Sequence, residues 1–200
     1  MQREYVRKCF HISGFIFALL NYYRFPLISV FLLILAIVMY LFMYEIRTKF
    51  VIQILQRNDK IDTGALCYFT SIILVSLLPK LDISAASITF LTIGDALDTV
   101  IINHSNPRTY EKTLGFIPAF IIAWSFVPFY VALSGAIISV LLEILPLRYG
   151  KIVDDNLSIP IASYLIMAIT GLLLAWFADP SKFFLQPKFC LISPKSSLNK

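Results

Sequence analysis

The sequence predicts an all-α, polytopic transmembrane helical bundle of about seven spans, and three observations carry that expectation. Hydrophobic residues make up 58% of the 200 and charged residues only 14%, with a mean hydropathy of +0.80; a soluble domain is roughly half apolar and a quarter charged. The apolar residues fall in long blocks bounded by charge, Pro or turn residues, each near the roughly 20 residues that cross a bilayer as a helix. Finally, the Lys and Arg residues behind the net charge of +5 sit in the gaps and at the ends, not in one dense run. That distribution orients a protein in lipid and does not suggest nucleic acid.

In chain order the predicted spans cover about 6–23, 26–45, 64–79, 83–102, 114–129, 131–146 and 157–177. The first begins with Arg7, Lys8 and His11, which suits a helix that lies in the interface before entering the core. The fifth and sixth are nearly fused, with Pro128 marking a break. One membrane domain is expected over 1–180, followed by a polar tail at 181–200. The N-terminal MQREYVRK is too charged for a cleaved leader, so the first apolar stretch reads as a retained helix. Cys9, Cys67 and Cys190 lie too far apart for a disulfide framework or a zinc motif.

Topology follows from the basic residues. Seven spans put Arg3, Arg7, Lys8, Arg47, Lys49, Arg57, Lys60, Arg108, Lys112, Arg148 and Lys151 on one face. Arg24 and Lys80 fall on the other. The first face is assigned to the cytoplasm, and Lys182, Lys188, Lys195 and Lys200 in the tail count against an odd number of spans.

Carboxylates inside apolar runs are the leading candidates for chemistry, because one ionised at a helix centre costs about 2.5–3.5 kcal/mol on insertion. Asp95 and Asp98 share a helix face in ITFLTIGDALDTVII, and Glu143 lies in AIISVLLEILPL. Each has a structural alternative: Asp98 as a hydrogen-bond acceptor for a neighbouring helix, Glu143 at the interface before Pro146. Gly94 admits a close backbone or phosphate approach, or is a packing notch. Arg108, Lys112 and Thr113 precede a helix, where cations and backbone N–H groups suit a phosphate; they also read as ordinary positive-inside residues. Asp154, Asp155 and Asn156 form a compact oxygen cluster that suits Mg²⁺ with a polyphosphate, or caps the last helix. His11 sits inside the first apolar run, as a functional or a hydrogen-bonded structural histidine.

Taken in order, these segments resemble the dolichol kinase, phytol kinase and CTP-dependent diacylglycerol kinase family of membrane lipid kinases. The likeness lies in E-x-x-R-K-x-x-H at Glu4, Arg7, Lys8 and His11, in Gly94-Asp95, in Lys112-Thr113 with Gly115, and in Glu143 followed by Asp154-Asp155-Asn156 and Pro160. It implies transfer of the γ-phosphate of CTP to the hydroxyl of a membrane lipid alcohol, with Mg²⁺ as cofactor, at the cytoplasmic face. The acceptor it implies is polyprenol-like (dolichol-like) or phytol-like, with diacylglycerol as a further candidate. On that reading Asp95, Asp98 and Asp154 hold the metal, and Asp95, Lys112 and Asp155 act in the transfer. Arg7, Lys8, His11, Gly94, Thr113, Gly115 and Asn156 contact nucleotide or lipid head. The sequence departs from the family pattern after Gly94-Asp95, where VIINHSNPRTY replaces a glycine-containing stretch, and at Leu114, where an acidic residue is expected.

Rival readings differ in class. A phosphatidate cytidylyltransferase would also use CTP, but its dense run of Lys, Asp, His and Gly is missing here. A transporter would need a polar route through both leaflets, whereas these polar groups collect on one side. A catalytically silent lipid-binding relative would tolerate the two departures.

Overall fold

The computed structural model describes residues 2–45, 63–97, 113–144 and 154–178. Asp98, Arg108 and Lys112, and the tail at 181–200, lie outside the described residues. All regular structure within them is helical: α1 (Gln2–Ser13), α2 (Phe15–Tyr22), α3 (Pro26–Glu45), α4 (Thr63–Ser76), α5 (Leu81–Thr89), α6 (Phe116–Trp124), α7 (Phe129–Ile144) and α8 (Asp155–Ala178). Each predicted segment contains a helix where it is described, and the first is two helices that meet at Gly14.

Local chemistry sets the boundaries. At the end of α2, Arg24 adopts the left-handed conformation (φ 69°). The Arg24 N–H bonds the Asn21 carbonyl at 3.0 Å and the Phe25 N–H bonds Leu20 at 2.8 Å, so the last carbonyls are satisfied. Pro26 then opens α3 at the position where a missing N–H costs nothing. Asp154 caps α8, its Oδ1 accepting the Asn156 N–H at 2.9 Å. Within α8, Pro160 has no N–H to give to the Asn156 carbonyl one turn before it.

The centre of the molecule is α5 and the turn that continues it. Ile83 to Gly94 is buried without interruption, with α2, α4, α6, α7 and α8 packed around it. A helix covered on all sides needs no amphipathic face, and this one is mixed. Two of its hydroxyls turn back onto their own helix, Thr89 Oγ1 donating to the Ala85 carbonyl at 2.8 Å and Thr92 Oγ1 to Ile88 at 2.9 Å, while Ser84 Oγ donates to the Val75 carbonyl of α4 at 2.8 Å. The outside is the reverse. Leu27 is 76% exposed, Phe31 66% and Phe177 72%, among many large apolar side chains on α3, α6, α7 and α8.

From Phe90 to Gly94 the backbone widens into a π-helical turn. One residue more than an α-helical turn rotates everything after it by about 100°. Asp95 follows directly, so the side on which its carboxylate emerges is decided by this turn.

Among the described residues one helix, α8, is long and apolar enough to cross a membrane; α3, α4 and α7 carry shorter apolar stretches. The fifth predicted span is the one most changed. Its helix α6 is 9 residues long and stops at Trp124, where Ser125, Phe126 and Val127 turn the chain into α7.

Close packing of α7 on α8 gives the fold a sensitive point. A Cβ at Gly135 would stand 2.7 Å from Met167 Sδ and 2.8 Å from Phe90 Cε2, both fully buried side chains. Gly135→Ala is expected to destabilise the protein by about 1–3 kcal/mol through overpacking. Thermal unfolding in detergent checks this, and an unchanged midpoint would show that α7 and α8 are not held this closely.

Candidate functional site

Lys8 and His11 lie three residues apart on α1, which places both side chains on one helical face. Opposite them stands Asp95. The Lys8 ammonium donates to Asp95 Oδ2 at 2.8 Å and to the Asp95 backbone carbonyl at 3.0 Å. His11 Nδ1 lies 3.0 Å from the same Oδ2, off the line that a straight N–H···O bond requires. Lys8 is 4% exposed, and the Asp95 side chain retains 21% of its surface. Two separate motifs, 87 residues apart for Lys8 and Asp95, thus meet in one cluster with a restricted opening. An ion pair this sheltered is weakly screened, and removing either partner strands the other charge.

Tyr68 on α4 closes the cluster from behind. Its ring lies 4.5 Å from the His11 ring, centroid to centroid, and its hydroxyl donates to the His11 carbonyl at 3.0 Å. Sequence reasoning missed this residue, since a tyrosine within ALCYFTS carries no signal of its own. The π turn was missed as well, because it depends on what the neighbouring helices demand of the backbone.

The other candidates distribute as follows. Gly94 serves packing: a Cβ there would stand 2.7 Å from the Phe116 ring, so the space is taken by α6 and not left for a ligand. Thr113 and Gly115 lie at the start of α6, which packs against the π turn. At the start of α8, Asn156 Nδ2 approaches the Gly64 carbonyl at 3.5 Å. Gly64 is one helical turn before Tyr68 on α4, so α4 links the Asp154-Asp155-Asn156 segment to the cluster and puts both at one end of the bundle. Asp155 is exposed in the first turn of α8, and Glu143 is partly buried near the end of α7. Asp98 and Lys112 lie outside the described residues, as does the side chain of Arg7.

Of the expected metal set, Asp95 and Asp154 are the members that fall within the described residues. No group of three or more His, Cys, Asp or Glu side chains there could hold a metal ion. Asp95 Oδ2 carries the Lys8 ammonium, and Asp154 Oδ1 accepts the Asn156 N–H at the start of α8. For Asp154 the capping role is the one the geometry displays.

Compared with protein-family models, curated proteins and solved structures, the chain matches none. Its chemistry therefore rests on its own side chains. A lysine and an imidazole, each within 3.0 Å of the same carboxylate oxygen, offer a positive charge for an anion and a base for a proton. The carboxylate holds both in place.

A double-mutant cycle tests the pair. Lys8→Met is expected to cost about 3 kcal/mol, at the lower end for a sheltered ion pair, because it leaves the Asp95 carboxylate uncompensated. Adding Asp95→Asn should recover much of that loss, as read by denaturant unfolding in detergent. Strictly additive effects would mean that the contact carries no energy.

Proposed function

We propose that this protein is a polytopic membrane lipid kinase. It transfers the γ-phosphate of CTP to the hydroxyl of a polyprenol-like or phytol-like lipid alcohol, or of diacylglycerol, at the cytoplasmic face. One observation carries the reading: Lys8 and His11 of the E-x-x-R-K-x-x-H segment lie on Asp95 of the Gly94-Asp95 segment. The resemblance to lipid kinases rests on those two segments among others, and nothing in their separation along the chain requires them to touch.

Support for the membrane comes from the inversion of polarity. Ser84, Ser87, Thr89, Thr92, Ser139 and Ser163 are buried, while the outward surfaces of α3 and the second half of α8 are Leu, Ile, Phe and Trp. A contiguous apolar exterior of that extent suits lipid. Among the described residues α8 is the one helix long and apolar enough for a full span by itself, so the seven-span arrangement is part of the proposal.

In the transfer, the lipid oxygen bonds to the γ-phosphorus, the bond from that phosphorus to the bridging oxygen breaks, and CDP departs. The hydroxyl proton passes to a base, for which the cluster offers His11. Such reactions ask chiefly for alignment and charge neutralisation. Lys8 supplies the positive charge, and the nucleotide competes with Asp95 for it. Mg²⁺ arrives with the triphosphate as part of the substrate, since magnesium is commonly held by phosphate oxygens with one or two carboxylates.

The test uses purified protein in detergent with Mg²⁺, a panel of prenols and diacylglycerol, and CTP labelled at either the γ- or the α-phosphate. Lipid carrying the γ label is the expected product. Lipid carrying the α label would instead identify a cytidylyltransferase, and no labelled lipid would leave a binding or transport protein. Asp95→Asn and His11→Gln should each lower γ-label transfer by about a hundredfold or more while the protein still purifies folded.

A further inference from the structure

We infer that Tyr68 is a positioning residue, which sets the His11 imidazole against Asp95 by holding the last turn of α1. The inference rests on the reading of the Lys8, His11 and Asp95 cluster as the reacting centre, and its geometry stands apart from that reading.

The physical problem lies at the end of α1. The last carbonyls of a helix have no donor within it and need partners from elsewhere. At this end the Phe10 carbonyl accepts from Ser13 Oγ at 2.7 Å and from Gly14 N–H at 3.3 Å. The His11 carbonyl accepts Gly14 N–H at 3.0 Å and the Tyr68 hydroxyl at 3.0 Å. The tyrosine thus bonds the backbone of the same residue whose side chain it stacks on, at 4.5 Å between ring centroids. Backbone and ring of His11 are gripped together, and the remaining freedom of the imidazole is about its own two side-chain torsions.

Gly14 makes this grip possible. A Cβ built on Gly14 would run into the Tyr68 hydroxyl, with Tyr68 Cζ at 2.9 Å and the His11 carbonyl oxygen at 3.0 Å. The glycine between α1 and α2 is therefore the socket into which the phenol end fits. Tyr68 is itself 5% exposed, so packing on α4 keeps it from swinging away. Further along the cluster, Lys8 bonds both the backbone and the side chain of Asp95. His11 and Asp95 are thus each held through backbone and side chain together, the first by Tyr68 and the second by Lys8.

The experiment reads the His11 ring directly. The chain has two histidines, His11 and His104, so in a ring-carbon NMR spectrum of the full-length protein in detergent the signal absent from His11→Gln belongs to His11. Tyr68→Leu removes both ring and hydroxyl. Its His11 signal should move toward that of an unrestrained histidine, and kcat for γ-phosphate transfer from CTP should fall by about ten- to a hundredfold with KM for CTP little changed. Tyr68→Phe keeps the ring and loses only the bond to the His11 carbonyl, so it should fall between parent and Tyr68→Leu. Gly14→Ala should resemble Tyr68→Phe, because its new methyl displaces the same hydroxyl.

If Tyr68→Leu does not fold, Tyr68→Phe and Gly14→Ala carry the same comparison. An unmoved His11 signal in all three variants overturns the inference. So does a moved signal with the parent's kcat, provided that His11→Gln has lost transfer. If the parent itself transfers no phosphate from CTP, the proposed function falls, and the ring signal alone decides whether Tyr68 holds His11.

Discussion

A carboxylate at the end of a buried helix has to be given a cation, and in this protein the nearest one belongs to a different helix. Without Lys8, Asp95 would carry an uncompensated charge at a cost of several kcal/mol. With it, α1 is drawn onto the π turn, and the polar N-terminal helix becomes part of the bundle. Lys8 bonds the backbone carbonyl as well as the side chain of Asp95, so the pairing also fixes the height of α1 along the central helix. The position of His11 then follows from its place three residues later.

The central helix can end in such a group because its buried stretch from Ile83 to Gly94 is neutral and its hydroxyls are satisfied. Ser84, Ser87, Thr89 and Thr92 give their hydroxyl protons to carbonyls of the preceding turn or of the adjoining helix end. Small side chains at Ser84, Ala85, Ala86 and Ser87 let neighbouring helices come close, and Gly94 and Gly135 do the same for Phe116 and Met167. Close approach and internal hydrogen bonds of this kind give packed helices cohesion beyond what apolar burial supplies. The π turn belongs to the same economy of space. It adds the residue that swings Asp95 out of the packed interior and toward α1.

Several positions that attract attention as functional have structural duties as well. Gly94 accommodates an aromatic ring. Asp154 caps α8 by accepting the Asn156 N–H. Asn156 reaches the first turn of α4. These duties place the start of α8, the start of α4 and the cluster at one end of the bundle, with α4 as the shared support. A reaction on a lipid headgroup would need its groups gathered at one such end, whatever each contributes individually.

Much of this was legible in the chain. Blocks of apolar residues bounded by charge and Pro predicted helices throughout, because helix length and polarity are local properties. Asp95, Lys8 and His11 were each visible as a polar residue in or beside an apolar run. What the residues could not announce was their meeting, since two segments 87 residues apart are joined only by packing. The break at Gly14, the short α6 and the π turn were hidden because each depends on what a neighbouring helix demands of the backbone. Tyr68 was hidden for the plainest reason: its role lies in the distance to another ring and another carbonyl. The sequence by itself determined an all-helical chain and the chemical kinds of its candidate groups. Tertiary structure alone decided which of them share a site, because a helix specifies its own faces and not the partner each face will find.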